Sequence, residues 1–564
     1  MKKILFLLLI SSFFNTISAS EKAKPRTSYV YQLDLSGKLV EYTPKPLGFP
    51  FSILSFNTKK TTGLNDVLRN IAYAKSNEKI SGIFLVNGSL QGGYAAMRDI
   101  REALIDFKKS GKFIYAYADN YTQSNYYLVS IADKLMLNTY GTVDFKGLSA
   151  QPMFYKNALD KLGVEMQVVK VGNYKSAVEP FTETSMSDFN RNQVTAYLNS
   201  MWGIVLTEVG KARKISGDKL NGIATDFAGL KPTDELKALK MVDTLVYANE
   251  ADTIITKIAP KELKIKRLTH QRLTKKSRRM PRDKNRIAVV YMSGNIGLGK
   301  NDINAKSVTS VYQALKNNNS VKAVVLRVNS PGGSAFESEK IHHILSMLKT
   351  KKPIVVSMGN YAASGGYYIA SMANKIVAQP NTITGSIGIF GLMPNAEKLY
   401  QKVGLTFDGV KTNEMADSYS EKRAMNENER QKMQARINNG YELFVKRCSD
   451  GRNLTVDSIK SLAQGRVWTG TDAKARGLVD ELGGMETALR EAAKLAGIST
   501  YQTLTINPKA GKPAQSFANV LEQKLDEQIS ESTYGDFLKL LFSVSDLKNQ
   551  ERIQARLMYD IDNE

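Results

Sequence analysis

The 564-residue chain reads as α/β, a tandem duplication of one unit in which a mainly parallel sheet is flanked by helices. An internal repeat is the first observation. Tyr126-Tyr127-Leu128 with Asp133-Lys134 return 241 positions later as Tyr367-Tyr368-Ile369 with Asn374-Lys375, and Gly163-Val164 return as Gly404-Leu405. Asn87 with Gly92-Gly93 is matched by Asn329 with Gly332-Gly333, Leu236 to Asp243 by Ala473 to Asp480, and Ser36-Gly37 by Ser293-Gly294. Several separated blocks in one order are not a chance pattern. The second observation is the alternation of short apolar runs with segments of helical spacing, which builds parallel sheets covered by helices.

Taken in order, residues 1–20 read as an export signal or a short membrane anchor. Lys2 and Lys3 precede an unbroken apolar run from Ile4 to Ile10, followed by Phe13, Phe14 and Ile17, and Ser18-Ala19-Ser20 supplies small residues for cleavage. That run is shorter than the roughly 20 residues a spanning helix needs. The first repeat covers 28–258. Within it Leu47 to Phe56 is an apolar insert without a counterpart in the second repeat; it reads as a core-packing loop or as a lipid or subunit contact. Residues 259–285 form a basic linker: Lys264 to Arg286 holds eleven Lys or Arg and one acid, Asp283, with no sustained helical apolar stripe.

The second repeat covers 286–500. Ile287 to Met292 opens it as a strand, and Ala323 to Val328 fits a buried strand. Asn329 to Ser334 turns the chain, Glu337 to Lys349 is helical, Pro353 to Met358 is the next strand and Ala362 to Ala373 the next helix. The tail 501–564 has no repeat partner.

The lone Cys448 excludes an intramolecular disulfide, and three histidines (His270, His342, His343) leave little material for a metal site or a Ser-His-Asp triad. No metal and no cofactor are expected. A net charge of +24 is a solvated surface or one attracted to anionic lipid; nucleic acid is not expected, because no recognition motif accompanies the charge.

Two segments carry chemistry. In Asn329-Ser330-Pro331-Gly332-Gly333-Ser334, between a strand and a helix, glycines let the backbone approach a ligand and N–H groups stabilise an anion, as an oxyanion hole requires. Such a turn alone is more often structural. In Asn360 to Tyr368, Ser364 is flanked by Ala362, Ala363, Gly365 and Gly366, so a tight turn can present its hydroxyl; an N-cap serine would look the same. A serine nucleophile needs a base. With histidine scarce, a buried neutral lysine is the alternative, though spacing alone selects none among so many.

Asn329-Ser-Pro-Gly-Gly, Ala362-Ala-Ser-Gly-Gly-Tyr-Tyr and Thr384-Gly-Ser-Ile-Gly-Ile389 resemble the nucleophile half of the signal peptide peptidase A (protease IV) family. Tyr174-Lys-Ser-Ala-Val-Glu-Pro-Phe181 resembles the base segment of its long, duplicated form. The resemblance implies a Clp protease/crotonase-like fold, Ser364 as nucleophile, Lys175 as general base, Ser386 as the group orienting that lysine, and Gly332 and Gly333 as the oxyanion hole. It further implies a homotetramer that degrades signal peptides and short apolar peptides at the periplasmic side of the inner membrane. The repeat register agrees with a split site: Lys175 falls opposite Ala416, and the first repeat has no glycines beside Ser124. A silent envelope scaffold and a crotonase-like acyl-CoA enzyme are the alternatives, the latter opposed by the export signal.

Overall fold

A computed structural model describes residues 26–43, 60–257, 263–278, 283–299, 301–508 and 553–556. The expected signal or anchor segment 1–20 and the apolar insert 47–56 lie outside the described residues. The strands, in chain order, are β1 (Arg26–Val40), β2 (Thr61–Gly63), β3 (Ile80–Gln91), β4 (Phe113–Tyr121), β5 (Lys134–Val143), β6 (Glu165–Lys170), β7 (Thr244–Leu245) and β8 (Leu263–Thr269). The second half continues with β9 (Arg286–Ser293), β10 (Val321–Ser330), β11 (Gly332–Ser334), β12 (Ile354–Ala363), β13 (Lys375–Ala378), β14 (Ile383–Gly385) and β15 (Phe390–Asn395). The last are β16 (Val467–Thr469), β17 (Glu481–Leu482), β18 (Gln502–Ile506) and β19 (Ile553–Arg556).

One sheet runs β2-β1-β3-β4-β5-β7 with β8 on the far side of β1, and all of its pairs are parallel. The other runs β16-β14-β12-β10-β9-β18, with β13 and β17 branching from β12. The two are one design. β3 and β10, β4 and β12, and β5 and β13 each begin 241 residues apart, as do the helices Tyr94–Lys108 and Ala335–Lys349. The strands are near-continuous apolar runs, such as Ala323 to Leu326, because helices cover both faces of a parallel sheet.

The sequence expectations differ from the structure in three places. Strand pairing extends further than the apolar runs suggest: β10 reaches Ser330, β11 follows inside the predicted turn, and β12 runs to Ala363, so the next helix begins only at Gly365. Within the basic linker, residues 263–278 are folded. β8 pairs in parallel with β1 over seven residues, and the helix His270–Ser277 buries Leu273 while His270 Nδ1 meets Tyr31 Oη at 2.7 Å. Lysines on exposed positions mask such a strand, because its pairing is made by backbone and its buried residues are few. Finally, the start of the tail belongs to the second sheet, since β18 adds beside β9.

A third, four-stranded sheet, β11-β19-β15-β6, joins the halves. β6 of the first half pairs antiparallel with β15 of the second, Glu165 opposite Asn395 and Lys170 opposite Phe390. A buried ionic cluster adds to this junction. Arg327, 0% exposed on β10, donates to Glu41 at 2.8 Å and Asp99 at 2.7 Å from the first half, and to Ser357 Oγ at 3.0 Å. Gln379 Nε2 donates to Asp99 and Glu102 at 2.6 and 2.9 Å. A buried guanidinium is tolerable only when its N–H groups are spent in this way.

Candidate active site

Ser364 stands where β12 ends and a short helix, Gly365–Ala370, begins. Its φ of 55° with ψ of −114° lies outside the regions open to a residue with a Cβ, a conformation that costs about 1–3 kcal/mol and is characteristic of functional turns. Two contacts hold it: Ser364 N–H donates to Gly385 C=O at 2.8 Å, and Tyr368 N–H to Ser364 C=O at 2.8 Å. The glycines that follow are required by space. A Cβ on Gly365 would fall 2.6 Å from Ser338 Oγ, and one on Gly366 2.5 Å from Ser330 C=O.

Lys175 arrives from the other half. It follows β6, whose pairing with β15 delivers the segment Gly172–Ser176 to the end of the second sheet. Val171 N–H donates to Ile389 C=O at 3.2 Å and Tyr174 N–H to Gln464 C=O at 3.0 Å. Gly465, with φ of +79°, permits the close approach, since a Cβ there would lie 2.7 Å from Lys175 N, Cα and Cβ. Gln193, from the helix Asp188–Arg213, ties the two halves around this point. It donates to Tyr174 C=O at 3.1 Å and Ser176 Oγ at 2.8 Å, and accepts from Val467 N–H at 3.3 Å.

The lysine is 1% exposed, and Lys175 Nζ lies 2.8 Å from Ser364 Oγ, 3.0 Å from Ser386 Oγ and 3.2 Å from Ser386 C=O. The Phe390 ring lies 6.0 Å from Nζ. Burial pushes its pKa down from 10.5 to about 7, because a low-dielectric site disfavours the ammonium. A neutral amine has two N–H donors and one lone pair. Ser386 offers two acceptors, its hydroxyl and its carbonyl, which leaves the lone pair for the Ser364 O–H. The arrangement can therefore accept the proton of Ser364.

Ser386, like Ser364, has positive φ (51°), and its N–H donates to Arg466 C=O at 2.7 Å. Gly332 and Gly333 have φ of +104° and +151°. Gly332 N–H is taken by Ser330 Oγ at 3.2 Å, so this glycine serves mainly by lacking a side chain. A Cβ there would collide with the Ala555 carbonyl oxygen and lie 2.7 Å from Gly365 N.

All five predicted site residues thus gather at one end of the second sheet. No histidine enters the hydrogen bonds found for Ser364 among the described residues. His342 packs edge-on against Tyr368, and burial pushes its pKa down to about 4, as it does that of His270. In the first half the corresponding turn is satisfied internally: Leu90 N–H donates to Asn125 Oδ1 at 3.2 Å and Asn125 Nδ2 to Leu90 C=O at 2.9 Å. Sequence reasoning missed Gln193, Phe390 and the Gln464-Gly465 loop. Only the glycine left a signal, too weak among 40 glycines to find.

A duplicated Clp protease-like α/β unit with a buried hydroxyl–amine pair is the arrangement of a serine hydrolase. The profile of Peptidase family S49 matches residues 106–261 and 346–499, and that of Clp protease matches 279–384. The chain is 36% identical over 516 residues to Protease 4 of Haemophilus influenzae, spanning 87% of this chain and 83% of that one. It is 38% identical over 492 residues to Protease 4 of Salmonella typhi (83% and 78%), and 28% identical over 508 residues to the chloroplastic serine protease SPPA of Arabidopsis thaliana (88% and 74%). The chain belongs to peptidase family S49 and is a serine protease.

Proposed function

We propose that this protease degrades cleaved signal peptides and other short apolar peptides at the periplasmic side of the inner membrane, using Ser364 as nucleophile and Lys175 as general base. The observation that carries the reading is the buried Lys175 amine 2.8 Å from Ser364 Oγ, with its pKa at about 7. Neutral Lys175 takes the Ser364 proton as Oγ attacks the peptide carbonyl, then returns it to the leaving amine; water repeats the sequence on the acyl-enzyme. Ser386 orients the amine throughout. Gly332, whose own N–H is taken by Ser330 Oγ, leaves room for the oxyanion, and Gly333 N–H with Gly365 N–H stabilises it.

Two surfaces support the cellular part of this reading. Lys264, Lys266, Arg272, Lys275 and Lys276 are exposed on β8 and the following helix, as attraction to anionic headgroups requires. Val403, Leu405, Phe407 and Val410 are exposed on one extended segment, apolar surface that assembly into a homotetramer would cover. Among the described residues no helix is long and apolar enough to cross a membrane.

The test is turnover of a synthetic signal peptide by purified protein and by Ser364→Ala. Loss of the nucleophile should lower kcat by at least about 10⁴-fold with the fold intact. Near-wild-type turnover by the variant would refute the assignment.

A further inference from the structure

The helix after the glycine turn is capped differently in the two halves. In the second, Ser334 is the N-cap of the helix Ala335–Lys349, and its Oγ accepts from Glu337 N–H at 3.0 Å. In the first, the N-cap of the helix Tyr94–Lys108 is Gly93, which has no side chain to offer. The matching N–H, that of Ala96, donates instead to Asn360 Oδ1 at 3.1 Å, so the missing cap comes from the other half. An amide oxygen there satisfies one of the N–H groups that a helix start leaves open. Gly93 makes the room. Its φ of −70° is an ordinary backbone conformation, yet a Cβ on it would lie 2.4 Å from Asn360 Cγ.

Asn360 stands four residues before Ser364, inside a bulge of β12. Val328 pairs with Met358 and Ser330 with Ala362, so three residues of β12, Gly359 to Tyr361, face Asn329 alone. Asn329 Oδ1 accepts from Tyr361 N–H at 3.1 Å and Thr382 Oγ1 donates to Gly359 C=O at 2.7 Å, which holds the two ends of the bulge. Its middle residue, Asn360, is held from the first half. Beyond it Tyr361 to Ala363 pair with β14, and the chain enters the strained turn at Ser364. A bulge re-aims the strand that carries it. We propose that Asn360 is a positioning residue for the nucleophile: by capping the first half's helix it fixes the bulge of β12, and with it the place of Ser364 Oγ. The proposal rests on the Ser364–Lys175 reading. Docking of the first half thus brings the base and also sets the direction of the serine.

Turnover of an internally quenched apolar peptide by the full chain tests this, in Asn360→Ala, Asn360→Asp, Gly93→Ala and the double variant Gly93→Ala/Asn360→Ala, with Ser364→Ala in parallel. Asn360→Ala should lower kcat by at least about tenfold, as a displaced reacting group does, with KM little changed. Its kcat/KM inflection should stay at about 7, because nothing around Lys175 has changed. Asn360→Asp keeps an oxygen for Ala96 N–H and should recover most of the lost kcat. Gly93→Ala should lose as much as Asn360→Ala, and the double variant no more than either, because the added Cβ then meets no amide. Wild-type kcat in Asn360→Ala or in Gly93→Ala overturns the proposal, as does an Asn360→Asp no faster than Asn360→Ala. Losses that add in the double variant also overturn it. So does an inflection moved toward 10.5, which marks a junction opened to water rather than a misplaced serine. Should Asn360→Ala not fold, Gly93→Ala alone decides. Wild-type turnover by Ser364→Ala removes the Ser364–Lys175 reading and this proposal with it.

Discussion

Replacing Lys175 by methionine should abolish turnover and, at the same time, make the protein more stable at acidic pH. Burial moves the amine from 10.5 to about 7, a displacement worth about 5 kcal/mol at 1.36 kcal/mol per tenfold change. The unfolded chain keeps its proton up to about 10.5, whereas the folded chain releases it above about 7. Between those values the unfolded state binds more protons, so wild-type stability rises with pH across that window and is at its lowest, level value below it. Methionine fills similar space without a charge to desolvate. It also forfeits the hydrogen bonds to Ser364 and Ser386, each worth about 1 kcal/mol. The balance is a gain of about 2–3 kcal/mol at pH 6 that disappears toward pH 10. Urea denaturation at both pH values measures it, followed by the fluorescence of Trp202 and Trp468, one in each half. A variant less stable than wild type at pH 6, or one with the same advantage at both pH values, would refute the reasoning.

Lys175→Arg should be inactive at every pH while remaining folded by circular dichroism, because a guanidinium does not deprotonate in proteins. Gly465→Ala should lower kcat by about a hundredfold, since its Cβ would meet the Lys175 backbone at 2.7 Å and a shift of about 1 Å at a reacting group has that effect; wild-type kcat in this variant would contradict the role given to the loop. Arg327→Met should destabilise the protein by about 3–5 kcal/mol by leaving Glu41 and Asp99 buried without their cation. Adding Glu41→Gln and Asp99→Asn should recover part of that loss in urea denaturation.

Much of this was legible in the sequence because it was written locally or twice. The offset of 241 between Tyr126 and Tyr367 revealed two copies of one sheet, and the glycines around Ser364 marked a turn that could present a hydroxyl. Lys175 was different. Its chemistry comes from burial, and burial comes from β6 pairing with β15 more than 200 positions away. No spacing rule encodes that, and the family resemblance was needed to single it out. Arg327 was invisible for a related reason: a charge inside an apolar run is tolerable only through partners that another half of the chain supplies. β19 is four residues with no apolar run, so its place in the site is legible only from its neighbours.

The proposed base is a lysine, neutral near pH 7, that serves a serine of the other half. Its most direct test is the pH dependence of kcat/KM for an apolar quenched peptide, measured in a His343→Gln background. His270 and His342 titrate far lower, near 4, and the exposed His343 is then absent. Activity should climb about tenfold per pH unit at low pH and level off through an inflection at about 7. An inflection near 10.5, the ordinary lysine value, or no inflection between pH 6 and 8, would contradict it.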